Sequence, residues 1–135
     1  MEGRVGFRAS LRFLATEEGG RRRSCWSGYA PNLRLGNHLT AISLVKMDGD
    51  EVAGDSEMAP GGSYEVFVVV WFPDQNSPED LIPPLVQIAE GPKLVAEGRV
   101  AGHTQAFTSA PPSVDDYLEG YAADQEGTLR KHGYR

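Results

Sequence analysis

TEEGGRRRSCWSGYAPNLRL, residues 16–35, is the stretch on which the reading of the fold turns. Glu17-Glu18-Gly19-Gly20 signals a tight reversal, because two adjacent glycines supply backbone conformations that other residues resist. Arg21, Arg22 and Arg23 follow at once, then a segment with Trp26 and Tyr29, then a second breaker at Gly28-Tyr29-Ala30-Pro31. Upstream, Val5, Phe7, Ala9, Leu11 and Phe13 alternate with Gly6, Arg8, Ser10 and Arg12. That period of two marks a half-buried strand. The spacing predicts a long antiparallel ribbon: strand, Gly-Gly hairpin, arginine-rich strand, Gly-Tyr-x-Pro corner, and an extended segment over Asn32–Leu35.

Downstream, further strands are predicted at residues 39–46, 64–72, 85–90 and 93–101. The run YEVFVVVWF, residues 64–72, is the most apolar in the chain. Its β-branched and aromatic content calls for a strand covered on both faces or closed in a barrel, since an open edge of this kind aggregates. Residues 47–63 read as an acidic, glycine-rich solvated loop. Asp48, Asp50 and Asp55 lack the register and the terminal glutamate of a calcium-binding EF-hand loop. In the tail, Ser113 is the expected N-cap of a short helix, and Val114, Tyr117, Leu118 and Tyr121 form one apolar stripe. Gly120 weakens that helix by roughly 1 kcal/mol relative to alanine, so it depends on docking.

Sixteen glycines and nine prolines among several short apolar runs favour an all-β design. One cysteine, Cys25, excludes an internal disulfide framework and reads as a small core residue. No apolar h-region opens the chain and no run is long enough to span a bilayer, so the expected location is the cytoplasm, with no membrane partner. The net charge of −6 is unevenly spread. Residues 1–34 carry seven arginines against three acids, and the rest of the chain carries six basic residues against sixteen acids. A dedicated nucleic-acid binder usually has the opposite overall sign. Only the N-terminal part offers a basic stripe.

Catalytic chemistry finds little support. His38, His103 and His132 lie in a turn, a linker and the terminus without metal-ligand spacing. Ser24-Cys25-Trp26-Ser27 lacks the Gly-x-Ser-x-Gly of a nucleophile elbow. The reading is therefore no enzyme, no catalytic residue, no metal and no cofactor. Trp26 and Tyr29 have the shape to stack on a base, but packing in a barrel wall is the favoured role.

Taken together, Phe7–Leu35 resembles the opening of the C-terminal (third) β-barrel domain of bacterial elongation factor Tu. Glu17, Glu18, Gly19, Gly20, Arg21, Gly28, Tyr29 and Pro31 match that family's ribbon. Ala30 stands where the family has arginine, and Asn32 where it has glutamine. Thr40, Pro60-Gly61-Gly62, Glu90-Gly91-Pro92-Lys93, Val95 and Gly98 extend the similarity more thinly, to about residue 101. The resemblance implies a six-stranded antiparallel Greek-key barrel over residues 1–102, followed by a linker and helical tail over 103–135. It also implies a non-enzymatic binding module contacting tRNA or a translation-associated protein, with Arg21, Arg22, Asn32 and Thr40 on the binding side. A protein–protein or structural module that retains only the fold is the alternative. Self-association is a further option, because the family's barrel is covered on one side by neighbouring domains and a solitary copy would leave that side bare.

The chain lacks Gly-x-x-x-x-Gly-Lys-Ser/Thr, and with it the backbone cradle, lysine and hydroxyl that bind nucleotide phosphates and magnesium. Calorimetry with GTP and GDP should therefore show no binding, and a micromolar isotherm with either would refute the expectation.

Overall fold

Alternation over residues 5–13 gives strand β1 (Val5–Phe13), whose inward side chains Phe7, Ala9, Leu11 and Phe13 are all buried. The computed structural model describes residues 3–35, 38–75, 85–101 and 107–120. The other strands are β2 (Cys25–Trp26), β3 (Asn32–Leu35), β4 (His38–Asp48), β5 (Glu51–Val52), β6 (Glu57–Met58), β7 (Ser63–Val70), β8 (Leu85–Glu90), β9 (Lys93–Val100) and β10 (Thr108–Ser109). A helix, α1, occupies residues 112–120.

Six strands close into an antiparallel barrel in the order β1-β7-β4-β3-β8-β9, with β9 returning to β1. β3, β4 and β7 are successive neighbours and β1 lies beside β7, which is Greek-key connectivity. β1 is the seam. One of its edges pairs with β7 from Val5 to Arg12. Its other edge pairs with β9 from Ala9 to Phe13 and with β10 at Val5 and Gly6. The seam requires close backbone approach at Gly98, opposite Leu11, where an added Cβ would fall 1.8 Å from the Ser10 carbonyl oxygen.

The barrel interior is filled by Phe7, Leu11, Phe13, Leu33, Leu35, Ile42, Leu44, Val66, Val68 and Ile88, among others. Burying each such side chain stabilises the fold by about 1.5–3 kcal/mol before the entropy of ordering is counted. β7 is covered on both faces, as its composition requires. Val66, Val68 and Val70 point into the barrel, while Phe67 and Val69 belong to a second apolar cluster outside it. That outer cluster joins Val45 and Met47 of β4 to Val114 and Leu118 of α1. Helix α1 thus docks on its own barrel through the predicted stripe, with Tyr117 partly buried against it; Tyr121 lies outside the described residues.

Three expectations are corrected. The arginine-rich segment is not a strand paired with β1, because both edges of β1 are already occupied. Thr16–Glu18 forms a 3-10 turn closed by Gly19 at φ 95°, and only Cys25–Trp26 becomes extended, pairing with β6. Residues 47–63 are not wholly loop, since β5 and β6 lie there and Met58 is fully buried in the barrel core. Ser113 does not cap α1. The helix begins at Pro112, whose missing N–H is no loss in a first turn, and the Ser113 hydroxyl instead donates to the Asp50 carbonyl at 3.2 Å.

Val114 is 0% exposed, so Val114→Asp would place a carboxylate against Val45 and Phe67 without a partner. It should lower stability by about 3 kcal/mol, whereas Glu119→Ala, on the exposed side of α1, should stay within about 0.5 kcal/mol. Urea denaturation of both variants measures the difference, and equal midpoints would show that α1 does not hold the outer cluster.

Candidate functional site

Because the 3-10 turn deflects the chain away from β1, residues 21–24 run without a ladder partner and must be held by other means, before Cys25 and Trp26 pair with β6. The entry is fixed at Arg21. The Thr16 hydroxyl donates to the Arg21 carbonyl at 2.7 Å, and the Arg21 guanidinium lies 4.8 Å from the centre of the Tyr29 ring. The same guanidinium makes an ion pair with Glu90, whose carboxylate also accepts a hydrogen bond from the Tyr29 hydroxyl. Arg21 Nε donates to the Arg23 carbonyl at 3.2 Å, folding the chain back on itself.

The consequence is a division of labour among three consecutive arginines. Arg21 is half-buried and fully engaged, while Arg22 and Arg23 are exposed and carry no ion pair among the described residues. Elsewhere in the basic N-terminal portion, Arg4 pairs with Asp115, Arg8 with Asp50, and Arg12 with Glu18 and Glu97. Arg34, half-buried, donates to the Pro92 carbonyl at 3.4 Å. Arg22 and Arg23 are therefore the exposed arginines of this portion without an ion pair among the described residues.

Cys25 turns inward against the Met58 carbonyl, and burial pushes its thiol up to about 11. Trp26 points the other way and is 55% exposed. The chain then turns at Ser27-Gly28. The Tyr29 amide donates to the Trp26 carbonyl at 3.0 Å, and Gly28 has φ 99° while no non-glycine residue has positive φ. That is a type II turn, which needs glycine at its third position. Trp26 is thus not barrel-wall packing as expected, whereas Tyr29 is: it packs against the core and binds Glu90.

The four residues anticipated as a binding surface are dispersed. Arg21 and Arg22 are adjacent, one tied down and one free to meet solvent. Asn32 sits half-buried on the outer face of β3, opposite Ala41 and Ala89. Thr40 is buried at 7% exposure and shares the inward face with its partner Leu33. Asn32 and Thr40 therefore occupy opposite faces of one hairpin. Sequence reasoning missed Glu90 and Arg23. Glu90 is far from Arg21 along the chain, and its only signal was its place before a Gly-Pro turn.

Among the described residues no group of three or more histidine, cysteine or acidic side chains is gathered to hold a metal ion, and no helix is long and apolar enough to cross a membrane. No protein-family model and no curated protein matches the chain.

Burial pushes the Glu90 carboxyl up, but hydrogen bonds from Tyr29 and Arg21 outweigh it and hold the group below the usual carboxylate range. A depressed pKa means that the stabilisation is present above the unfolded value of about 4.3 and is lost as pH falls through the folded value. The stability difference between wild type and Glu90→Gln should therefore be constant near neutrality and shrink below about pH 4. Urea titrations across that range test it; a difference that persists undiminished to pH 2 would mean that Glu90 contributes nothing through its charge.

Proposed function

We propose that this protein is a non-enzymatic, cytoplasmic binding module related to the C-terminal barrel of elongation factor Tu, and that it contacts RNA, with tRNA the leading candidate. The observation that supports this reading is the loop at residues 22–26. Two solvent-facing arginines and one solvent-facing tryptophan stand together on a base fixed by Arg21, Tyr29 and Glu90. Arginines of this kind suit phosphate oxygens, and an exposed indole suits a splayed base. The overall acidity restricts such contact to this loop. The ligand would meet it as a local anion site rather than along a broad basic face.

A second reading, a protein-binding module, is favoured by a different observation. Leu39 at the start of β4, Trp71 and Phe72 just after β7, and Leu85 at the start of β8 are all large, exposed and apolar. The antiparallel order brings those three strand ends to one rim of the barrel. Exposed aromatic side chains grouped in this way suit a protein partner.

Fluorescence anisotropy with labelled tRNA across a salt series separates the two. On the RNA reading, Arg22→Ala and Arg23→Ala each weaken binding and flatten the logarithmic salt slope by about one. Trp26→Ala costs about 1–3 kcal/mol at unchanged slope, and Trp71→Ala has no effect. Absence of salt-dependent tRNA binding by the wild type at low ionic strength would discard the RNA reading in favour of a protein partner.

A further inference from the structure

We propose that helix α1 is a positioning element for the loop at residues 22–26, acting through Tyr117 on the turn where the loop rejoins the barrel. The link to binding rests on the function proposed above; the structural coupling stands on its own geometry.

The loop has two fixed ends. Arg21 is the entry. Ser27, 1% exposed, is the exit. Ser27 is held at three of its polar groups. Its amide donates to the Ser56 carbonyl at 3.2 Å, its hydroxyl accepts from the Lys46 amide at 2.8 Å, and its carbonyl accepts from the Tyr117 hydroxyl at 3.1 Å. The first partner lies in the segment between β5 and β6, and the second belongs to β4 of the barrel. The third belongs to α1.

That third contact falls on a sensitive bond. The peptide between Ser27 and Gly28 is the central unit of the type II turn that begins at Trp26. Its N–H donates to the Leu44 carbonyl at 2.9 Å, and its C=O is the group that Tyr117 holds. Rotation of this peptide converts a type II turn to type I, and glycine at position 28 can occupy both forms. The helix thus opposes the one rearrangement that the turn sequence itself allows. Trp26, whose carbonyl closes the turn, takes its presentation from that peptide together with its pairing to Glu57 of β6.

Tyr117 reaches Ser27 only while α1 is docked. Docking depends on Val114 and Leu118 against Val45, Met47, Phe67 and Val69, on Arg4–Asp115, and on Ser113 donating to the Asp50 carbonyl. The apolar stripe of the helix therefore sets the order of the loop across the β4 outer face. A loop whose exit is held in one turn form binds with less ordering cost than one that samples two.

The test uses the full chain. Tyr117→Phe keeps the ring and its packing and removes only the hydroxyl; Val114→Asp releases the helix. Amide hydrogen exchange without RNA should quicken at Gly28 and its neighbours in Tyr117→Phe, while β1 amides stay slow and the melting temperature falls only by the few degrees that one hydrogen bond is worth. Affinity for a fluorescein-labelled tRNA transcript should fall by about 3- to 10-fold, the equilibrium weight of one hydrogen bond, with the salt slope unchanged. Unaltered exchange at the turn in Tyr117→Phe would overturn the coupling, even if Val114→Asp proves too unstable to measure. Faster exchange with unaltered tRNA affinity would overturn the link to binding. If the wild type binds no tRNA, the binding reading fails by itself, and faster exchange still supports the coupling.

Discussion

Both edges of β1 are filled, and much of the molecule follows from that constraint. A strand has two rows of backbone donors and acceptors, and in a closed barrel neither is left to solvent. Here β7 takes one row, and β9 with β10 takes the other. The Ala101 and Ala110 amides extend the second row by donating to the Arg8 and Arg4 carbonyls. With no vacancy on β1, the segment after the Gly19-Gly20 turn cannot fold back as a hairpin partner. It is expelled across the barrel wall, where side chains hold it until Cys25 and Trp26 pair with β6.

Expulsion explains why one arginine of three is half-buried. The stretch ahead of that pairing needs a strong side-chain anchor, and Arg21 provides it through the Glu90 carboxylate and the Tyr29 ring. A planar guanidinium, with five donors in a fixed fork, suits this combination better than a compact lysine ammonium. The exposed pairs Arg8–Asp50 and Arg12–Glu18 play a different part. Solvent screens pairs of that exposure, so their main effect is on the charge map rather than on stability. They cancel part of the basic excess of the N-terminal portion and leave Arg22 and Arg23 as its exposed arginines without an ion pair among the described residues.

Much of this architecture was legible in the residues. Period-two alternation marked β1, the run from Tyr64 to Phe72 demanded cover on both faces, and Gly91-Pro92 marked the β8–β9 hairpin. The stripe of Val114, Tyr117 and Leu118 located the docking face of α1. Pairing partners were less accessible, because alternation reports which face of a strand is buried and says nothing of which strand lies beside it. The arginine segment was misread for that reason. Trp26 illustrates a related limit: alternation about Cys25 places it on the outer side, but only the tertiary arrangement decides whether anything covers that side. The Arg21–Glu90 contact joins residues 69 apart, and no local pattern announces it.

A barrel of six strands has an outer surface as well as an interior, and β4 and β7 carry apolar side chains on both. Val45, Met47, Phe67 and Val69 would form an open hydrophobic face if the barrel ended at β9. Helix α1 is too short to be stable in isolation, since nucleation is unfavourable and Gly120 adds to the cost. Each therefore depends on the other: the outer face lacks cover without the helix, and the helix lacks stability without the face. Arg4 and Asp115 tie the start of the chain to this arrangement, so the seam at β1, the outer cluster and the helix form one connected unit. Because Tyr117 extends that unit to Ser27, the same packing that covers the barrel also reaches the base of the Arg22–Trp26 loop. Stability and presentation of the candidate site are thus carried by one docking event, and a change that loosens the helix acts on both.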